Sequence, residues 1–393
     1  MKIGLVNNLY PPLNRGGAEN IVRITAEALS LNHEVFVLTG AVNRDEEVTR
    51  STNLTIYRLN NGNLYHYLES AGMPVWKKLG WHFLNLIGYR VNRRVKKILR
   101  AEKPDLVMTH NLTGFSLSLP RLLWALKIRH WHVLHDYQLI EPYGSLYRSG
   151  RPLTKLPLHF WLYLRVCRRL FAKVLLVISP SKFVLEKHVQ YGFFARSWQV
   201  VLPNPVLPQQ TVRLRQASNK IQLLYLGQLE EYKGIRFLLE ALSSLATDEY
   251  ALTVAGGGSL FKKLREQYQS QRVNFLGLVP HESIDGLFSH ADLTVVPSLW
   301  WENSPTVIYE SYAAAVPVLV SDAGGAKELV QPGQTGYIFK AGDLESLYST
   351  LRQVAQERAN LRELGLAGQR LVADFQPQHY VKKLMQLCQD SPR

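Results

Sequence analysis

Two glutamates eight positions apart, Glu302 and Glu310, stand on either side of an expected loop-to-helix junction in the run from Pro297 to Glu310. Ser304 is a good N-cap residue and Pro305 suits a first helical position, where its missing N–H would have been unpaired anyway. Glu302 then belongs to the loop and Glu310 lies about one and a half turns into the helix. The free backbone N–H groups near Thr306 and Val307 form a site suited to a phosphate. The segment therefore offers one acid for a sugar, a helix dipole for a diphosphate and one acid for a ribose.

Three other places combine a strand end with residues able to do chemistry. Arg15-Gly16-Gly17-Ala18-Glu19 follows the first strand and opens a helix, so the backbone can approach a ligand closely and the helix N-terminus favours an anion. His135-Asp136 ends a later strand, and His110 ends another as a weaker candidate. Gly227-Gln228-Leu229-Glu230-Glu231-Tyr232-Lys233-Gly234 follows a strand in the second half, and Gly256-Gly257-Gly258 ends the next. Taken alone, each is also what an ordinary turn or core histidine looks like.

These positions demand a scaffold that delivers strand ends to one edge. Short apolar runs alternate with helical patterns throughout, the signature of parallel α/β architecture. Strands are expected at 3–6, 35–39, 54–59, 106–109, 131–135, 175–178 and 200–202, then at 223–226, 251–255, 273–276, 293–296, 318–320 and 337–339. Helical segments between them include 18–30, 183–191, 236–245 and 344–356. Two doubly wound sheets satisfy this pattern, each binding ligands at the carboxyl ends of its strands. Prolines and polar residues cluster without periodicity from Pro203 to Asn219 and mark the boundary.

The order Pro-Ser, Glu302, Ser304-Pro305, Glu310, Pro317-Val318 and Gly324-Gly325-x-x-Glu328 resembles the retaining family 4 glycosyltransferases. That resemblance implies an α/β GT-B fold, with two Rossmann-like doubly wound domains facing across a cleft. It implies an N-terminal acceptor domain over 1–203, joined by a returning C-terminal helix within about 375–393, and a donor domain over 204–374. The family loop Pro-x-x-Gly-Gly-x-Glu is resembled by Pro12 to Glu19, which has one residue more between Pro12 and Gly16, and the resemblance assigns Gly16 and Gly17 to the substrates. The strand-ending His-Asp is matched by His135, implying a sugar-positioning rather than nucleophilic role. Lys233 is in register to pair with the donor phosphates, while Gln228 stands where the family usually has an arginine. Charge-assisted bonds are roughly twice as strong as neutral ones, so this departure bears on donor affinity. Glu302, with Asn303, would face the donor sugar; Pro305 and Thr306 would meet the diphosphate; Glu310 would hold the ribose. The implied co-substrate is a nucleotide-diphosphate sugar, with no metal and no cofactor.

Composition adds a partner. The 393 residues are 46% hydrophobic and 20% charged, an ordinary globular balance. Cys167 and Cys388 are too few for a disulfide framework or a thiolate metal site. The apolar stretch 156–178 is interrupted by Arg165, Arg168, Arg169 and Lys173, which makes a membrane span costly. A cytoplasmic protein, peripheral on the inner membrane face, is expected. Residues 1–203 hold 28 Lys and Arg against 12 Asp and Glu, whereas 204–393 hold 18 against 19. Trp76 to Lys103 concentrates nine cations against Glu102, with Trp76, Leu79, Phe83, Leu86, Ile87, Val91, Val95 and Ile98 at helical spacing. Such a stretch suits an anionic membrane surface, each cation contributing about 1 kcal/mol. The acceptor expected there is a saccharide or a polyprenyl-diphosphate-linked glycan.

Two rivals belong to other classes. Some epimerases and phosphorylases share the GT-B architecture, and the basic half with Trp76, Trp81 and Tyr89 would permit a non-enzymatic nucleic-acid binder. The second leaves the Glu302–Glu310 segment without a role, and no nucleic-acid partner is expected.

Overall fold

The computed structural model describes residues 1–13, 16–41, 45–66, 69, 72–209, 219–245, 248–280 and 283–391. Two units account for them. The first comprises Met1–Ser145, Lys155–Pro205 and the chain from Pro377 onward; the second comprises Leu146–Thr154 and Val206–Gln376. The short excursion Leu146–Thr154 was not foreseen.

Along the first unit run β1 (Lys2–Val6), α1 (Gly17–Ser30), β2 (Glu34–Gly40), β3 (Glu47–Arg50), β4 (Leu54–Leu59), α2 (Val75–Ile87), α3 (Tyr89–Glu102), β5 (Leu106–Thr109), α4 (Leu119–Ala125) and β6 (His130–Val133). The hairpin β7 (Tyr147–Arg148) and β8 (Arg151–Pro152) belongs to the second unit. The first then resumes with α5 (Phe160–Phe171), β9 (Leu176–Ser179), α6 (Lys182–Gln190) and β10 (Trp198–Val201). Its sheet runs β10-β9-β6-β5-β1-β2-β4-β3, parallel except for the antiparallel edge strand β3. Strands β5, β6 and β9 are buried at every position, as expected of a parallel sheet covered on both faces. Edge strand β3 is exposed throughout and carries Glu47 and Arg50, so no apolar alternation announced it.

The second unit contains β11 (Ile221–Leu226), α7 (Ile235–Ser244), β12 (Tyr250–Ala255), α8 (Phe261–Tyr268), β13 (Val273–Gly277), α9 (Ile284–His290), β14 (Leu293–Val296), α10 (Thr306–Ala313), β15 (Val318–Ser321), β16 (Gly336–Phe339), α11 (Leu344–Gln356) and α12 (Leu361–Val372). Its six strands are all parallel, in the order β13-β12-β11-β14-β15-β16. Both sheets are thus doubly wound. The strand order reverses between β1 and β5 in one and between β11 and β14 in the other, and such switch points are where open α/β sheets bind ligands.

The last helix, α13 (Pro377–Asp390), belongs to the first unit. It buries Tyr380, Val381, Leu384 and Cys388 in the same core as Val22 and Leu29 of α1. Arg129 Nη2 secures its end by donating to the Cys388 carbonyl at 2.7 Å. Among the described residues, no helix is long and apolar enough to cross a membrane.

Candidate active site

At the β11–β14 switch, the turn after β11 forms a short 3₁₀ helix, Glu231–Lys233, closed by Gly234 at φ 72°. A Cβ on Gly234 would lie 1.8 Å from the Pro297 carbonyl oxygen, so only glycine lets this turn lie against the loop after β14. Leu299 N and Trp300 N both donate to the Tyr232 carbonyl, at 2.9 and 3.3 Å. These backbone contacts bring Lys233 to Glu302, Nζ to Oε1 at 2.7 Å. Ser298 Oγ donates to the same oxygen at 2.6 Å. The Lys233 ammonium also stands 4.7 Å from the centre of the Trp300 ring, within cation–π range.

Glu302 is only 5% exposed, and its backbone is as constrained as its carboxylate. It pairs with Gly324, and Gly325 N donates to its carbonyl at 2.7 Å. Gly324 has φ 72°, and a Cβ there would meet the Glu302 carbonyl oxygen at 2.3 Å. The Gly324-Gly325 pair therefore seats the Glu302 loop.

The junction that follows differs from expectation by one residue. Pro305, with φ −61° and ψ 121°, is itself the N-cap of α10, and helix begins at Thr306. Ser304 stands one residue before that cap, and its Oγ is hydrogen-bonded with Tyr309 Oη at 2.6 Å. Thr306 and Val307 nevertheless open the helix, as a phosphate site there requires. Glu310 follows on α10, its side chain hydrogen-bonded to Thr306. Burial pushes its carboxyl up to about 7; nearby Asp285 adds to the rise and the Thr306 bond opposes it.

Gln228 is gripped by tyrosines. Tyr232 Oη donates to its Oε1 at 2.8 Å and Tyr225 Oη donates to its carbonyl at 2.7 Å. The glycines 256–258 support this turn from behind. A Cβ on Gly256 would lie 1.9 Å from the Gly227 carbonyl oxygen, and Leu229 N donates to the Gly257 carbonyl at 2.8 Å. Close backbone packing is thus their demonstrated role. Tyr147 of the hairpin reaches the same cluster, 6.3 Å ring to ring from Tyr232, which in turn lies 5.2 Å from Trp300. Tyr232, Trp300, Ser298 and Tyr147 were not singled out from sequence. The first three adjoin Lys233 or Glu302 and were legible as neighbours, whereas Tyr147 lies far away in the chain.

The first unit's switch is built from asparagines and histidines. Asn7 Oδ1 accepts from Asn111 N at 3.0 Å and Asn8 N donates to the Asn111 carbonyl at 2.8 Å, tying the ends of β1 and β5 together. His110 Nδ1 lies 2.9 Å from His135 Nε2, with the rings stacked at 5.2 Å. Strand β6 stops at Val133, two residues earlier than expected, so His135 stands beyond the strand end. Burial lowers His135 to about 4 and holds His110 well below the ordinary histidine range, with His135 adding to the latter shift. Both rings are neutral near pH 7, so one nitrogen of the pair donates and the other accepts. Asp136 is pushed up to about 7, chiefly by burial, against the opposing bond from Gln138 N. Gly16 N donates to Glu19 Oε2 at 3.0 Å, so Glu19 caps the very turn expected to meet an anion. Asn14 and Arg15 of that loop lie outside the described residues.

A doubly wound pair of units, one with a Lys–Glu pair beside a helix N-terminus at its switch, is the framework of a GT-B glycosyltransferase. Two family models cover the chain: Glycosyltransferase Family 4 over residues 15–210 and Glycosyl transferases group 1 over 209–389. The chain belongs to this glycosyltransferase family. A 42.6 kDa protein of the cps region of Klebsiella pneumoniae is 28% identical over 333 residues, covering 84% of this chain and 87% of that one. Among solved structures, a sucrose-phosphate synthase from Thermosynechococcus elongatus matches with TM-score 0.78 at 21% identity, over 99% of this chain and 98% of that one. HepE of Anabaena, in complex with UDP-glucose, matches with TM-score 0.70 at 18% identity, over 99% of both.

Proposed function

We propose that this chain is a retaining, metal-independent glycosyltransferase that moves a sugar from a nucleotide-diphosphate donor to a growing glycan. The observation that carries the reading is the Lys233–Glu302 pair at the β11–β14 switch, beside the N-terminus of α10. In this reading Lys233 and the α10 N-terminus stabilise the departing diphosphate, where negative charge develops in the transition state. Glu302 and Asn303 hold the donor sugar, Pro305 and Thr306 shape the diphosphate site, and Glu310 accepts from the ribose hydroxyls. Gln228 contributes a neutral hydrogen-bonding group where an arginine would have added charge. The anomeric C–O bond to the β-phosphate breaks and the new glycosidic bond forms on the same face. The acceptor hydroxyl proton passes to the leaving phosphate.

From the first unit, the reading takes His135 as a neutral sugar-positioning group and the Gly16–Gly17 turn as a further substrate contact. The acceptor is a saccharide, lipid-linked through a polyprenyl diphosphate, met by the basic first unit on the cytoplasmic side of an anionic membrane. The relative from a cps region supports a role in surface-polysaccharide assembly, and the UDP-glucose bound to a fold neighbour makes UDP-sugars the first donors to test.

The test is nucleotide release across UDP-, GDP-, ADP- and TDP-sugars, with wild type beside Glu310→Ala. Slow hydrolysis of one donor, lost in the variant, is the expected result. Turnover of no donor would overturn the reading, and sugar conversion without an acceptor would replace it with an epimerase.

A further inference from the structure

The basic, aromatic stretch 76–103 is two helices with opposite roles. Gly88, at φ 58°, separates α2 from α3, and a Cβ there would lie 1.9 Å from Ser116 Oγ. Beyond it, α3 turns Val91, Val95 and Leu99 into the protein and leaves Arg90, Arg93, Arg94, Lys97 and Arg100 exposed, an ordinary solvated basic face. Helix α2 is the reverse. It is anchored by Trp81, whose Nε1 donates to the Tyr65 carbonyl at 3.0 Å, and by Asn85, whose Oδ1 accepts from Gly114 N at 2.9 Å. Opposite those anchors, Trp76, Leu79, Phe83 and Ile87 form an exposed stripe at helical spacing. Trp76 is 68% exposed, while Lys77 and Lys78 are half-buried.

Helix α5 carries a matching feature. Phe160, Leu164, Cys167 and Phe171 face inward. On the outer side Leu158, Trp161 and Leu162 are exposed at the N-terminal end, Leu158 by 85%, and Arg165, Arg168, Arg169 and Lys173 follow. Apolar tip and cations are thus arranged in sequence along one helix. A chain of rings joins this tip to α2: His82 lies 6.2 Å from Tyr143, and Tyr143 lies 6.3 Å from Phe160. Segments 75–89, 143 and 158–162 supply 11 of the 23 exposed large hydrophobic residues described, so the exposure is a patch and not scatter.

We infer that α2 and the start of α5 together form a membrane-insertion face, the apolar residues entering the acyl boundary of an anionic bilayer while the cations of α5 meet its headgroups. Charge complementarity selects the occupant: an apolar patch bordered by cations fits anionic lipid, and tryptophan suits the interface. The inference deepens the membrane reading given above and is independent of the donor chemistry.

The experiment is flotation of the full chain with neutral vesicles and with vesicles containing an anionic lipid. Wild type is compared with Trp76→Ser/Leu79→Ser/Phe83→Ser and with Leu158→Ser/Trp161→Ser/Leu162→Ser. Wild type is expected on anionic vesicles, each triple variant about tenfold weaker or more, and the combined variant lost to solution. Thermal unfolding should be unchanged, because the replaced side chains are exposed. Triple variants that float like wild type would overturn the inference while leaving a charge-only membrane contact. Wild type absent from both vesicles would remove the membrane reading as well. Variants that only convert a dimer to a monomer would assign the patch to a second copy of the chain. Donor hydrolysis, measured in the same samples without lipid, separates failure of the catalytic reading from failure of this one.

Discussion

The two units present the same edge of the same kind of sheet, yet what stands at their switch points is chemically different. Between β11 and β14 the ends carry a lysine, a buried glutamate and a helix N-terminus, closed by glycines that allow backbone contact. The ends of β1, β5 and β6 carry asparagine clamps and a pair of histidines kept neutral by burial. The first arrangement suits a group whose charge develops during reaction, the second a group recognised through neutral hydrogen bonds. One topology therefore supplies a place, and side chains decide what is done there.

The sharpest way to break this contrast is Lys233→Ala. Turnover should fall about 10²–10³-fold, the scale of removing one electrostatic stabiliser from a transition state. Calorimetry should also show a destabilisation of roughly 1–3 kcal/mol, because the buried Glu302 carboxylate loses its ammonium partner and is left with the Ser298 hydroxyl on the same oxygen. His135→Ala should act more gently, lowering turnover roughly 10-fold to 100-fold by misplacing the sugar. Nucleotide binding, followed by titration calorimetry, should survive it. Loss of nucleotide affinity in that variant would erase the division of labour between the units.

Acidification should separate the units by sign. His110, His130, His132, His135 and His188 all have folded values held below the ordinary 6.5 by burial. The unfolded chain then binds more protons, so their stabilising contribution is present above about 6.5 and is lost as pH falls towards 4. Asp136, raised to about 7, opposes them as a single group. Glu310 has the opposite slope: its folded value of about 7 lies above its ordinary one, so its contribution declines as pH rises from about 4.5 to 7. Unfolding midpoints followed from pH 7.5 to 4 should show the first unit weakening, and Glu310→Gln should remove the second unit's slope. The smallest effect is expected for Gln228→Arg. An added cation should lower the donor KM about threefold to tenfold, less what is lost with the Tyr232 bond. An unchanged KM would mean that Tyr232 and Tyr225 hold this position away from the phosphates.

Much of this was present in the residue order. Central parallel strands buried on both faces read as short apolar runs, and all thirteen expected strands, the more exposed β4, β10 and β13 included, correspond to observed ones. The glycine pairs were visible because a backbone that must pass close to another leaves a glycine in the sequence, and Glu302, Glu310 and Lys233 stood out by their spacing and the family resemblance it carries. Strand β3 and the hairpin β7–β8 were invisible, being short and polar, with pairing that supplies their only order.

Tertiary structure alone decided the rest. Ser304 has the chemistry of a helix cap, and only the fold shows that Pro305 takes the cap position and that the Ser304 hydroxyl meets Tyr309. His110 and His135 are separated by 24 intervening residues, and nothing in either neighbourhood foretells that they share a hydrogen bond. The apolar period from Trp76 to Ile98 runs through both α2 and α3, yet one helix turns its stripe outward and the other turns it inward. Periodicity records that a helix has an apolar face; which way that face points depends on what packs against the opposite side. Here Tyr65 and Gly114 hold α2 by Trp81 and Asn85, and that choice is written in distant residues.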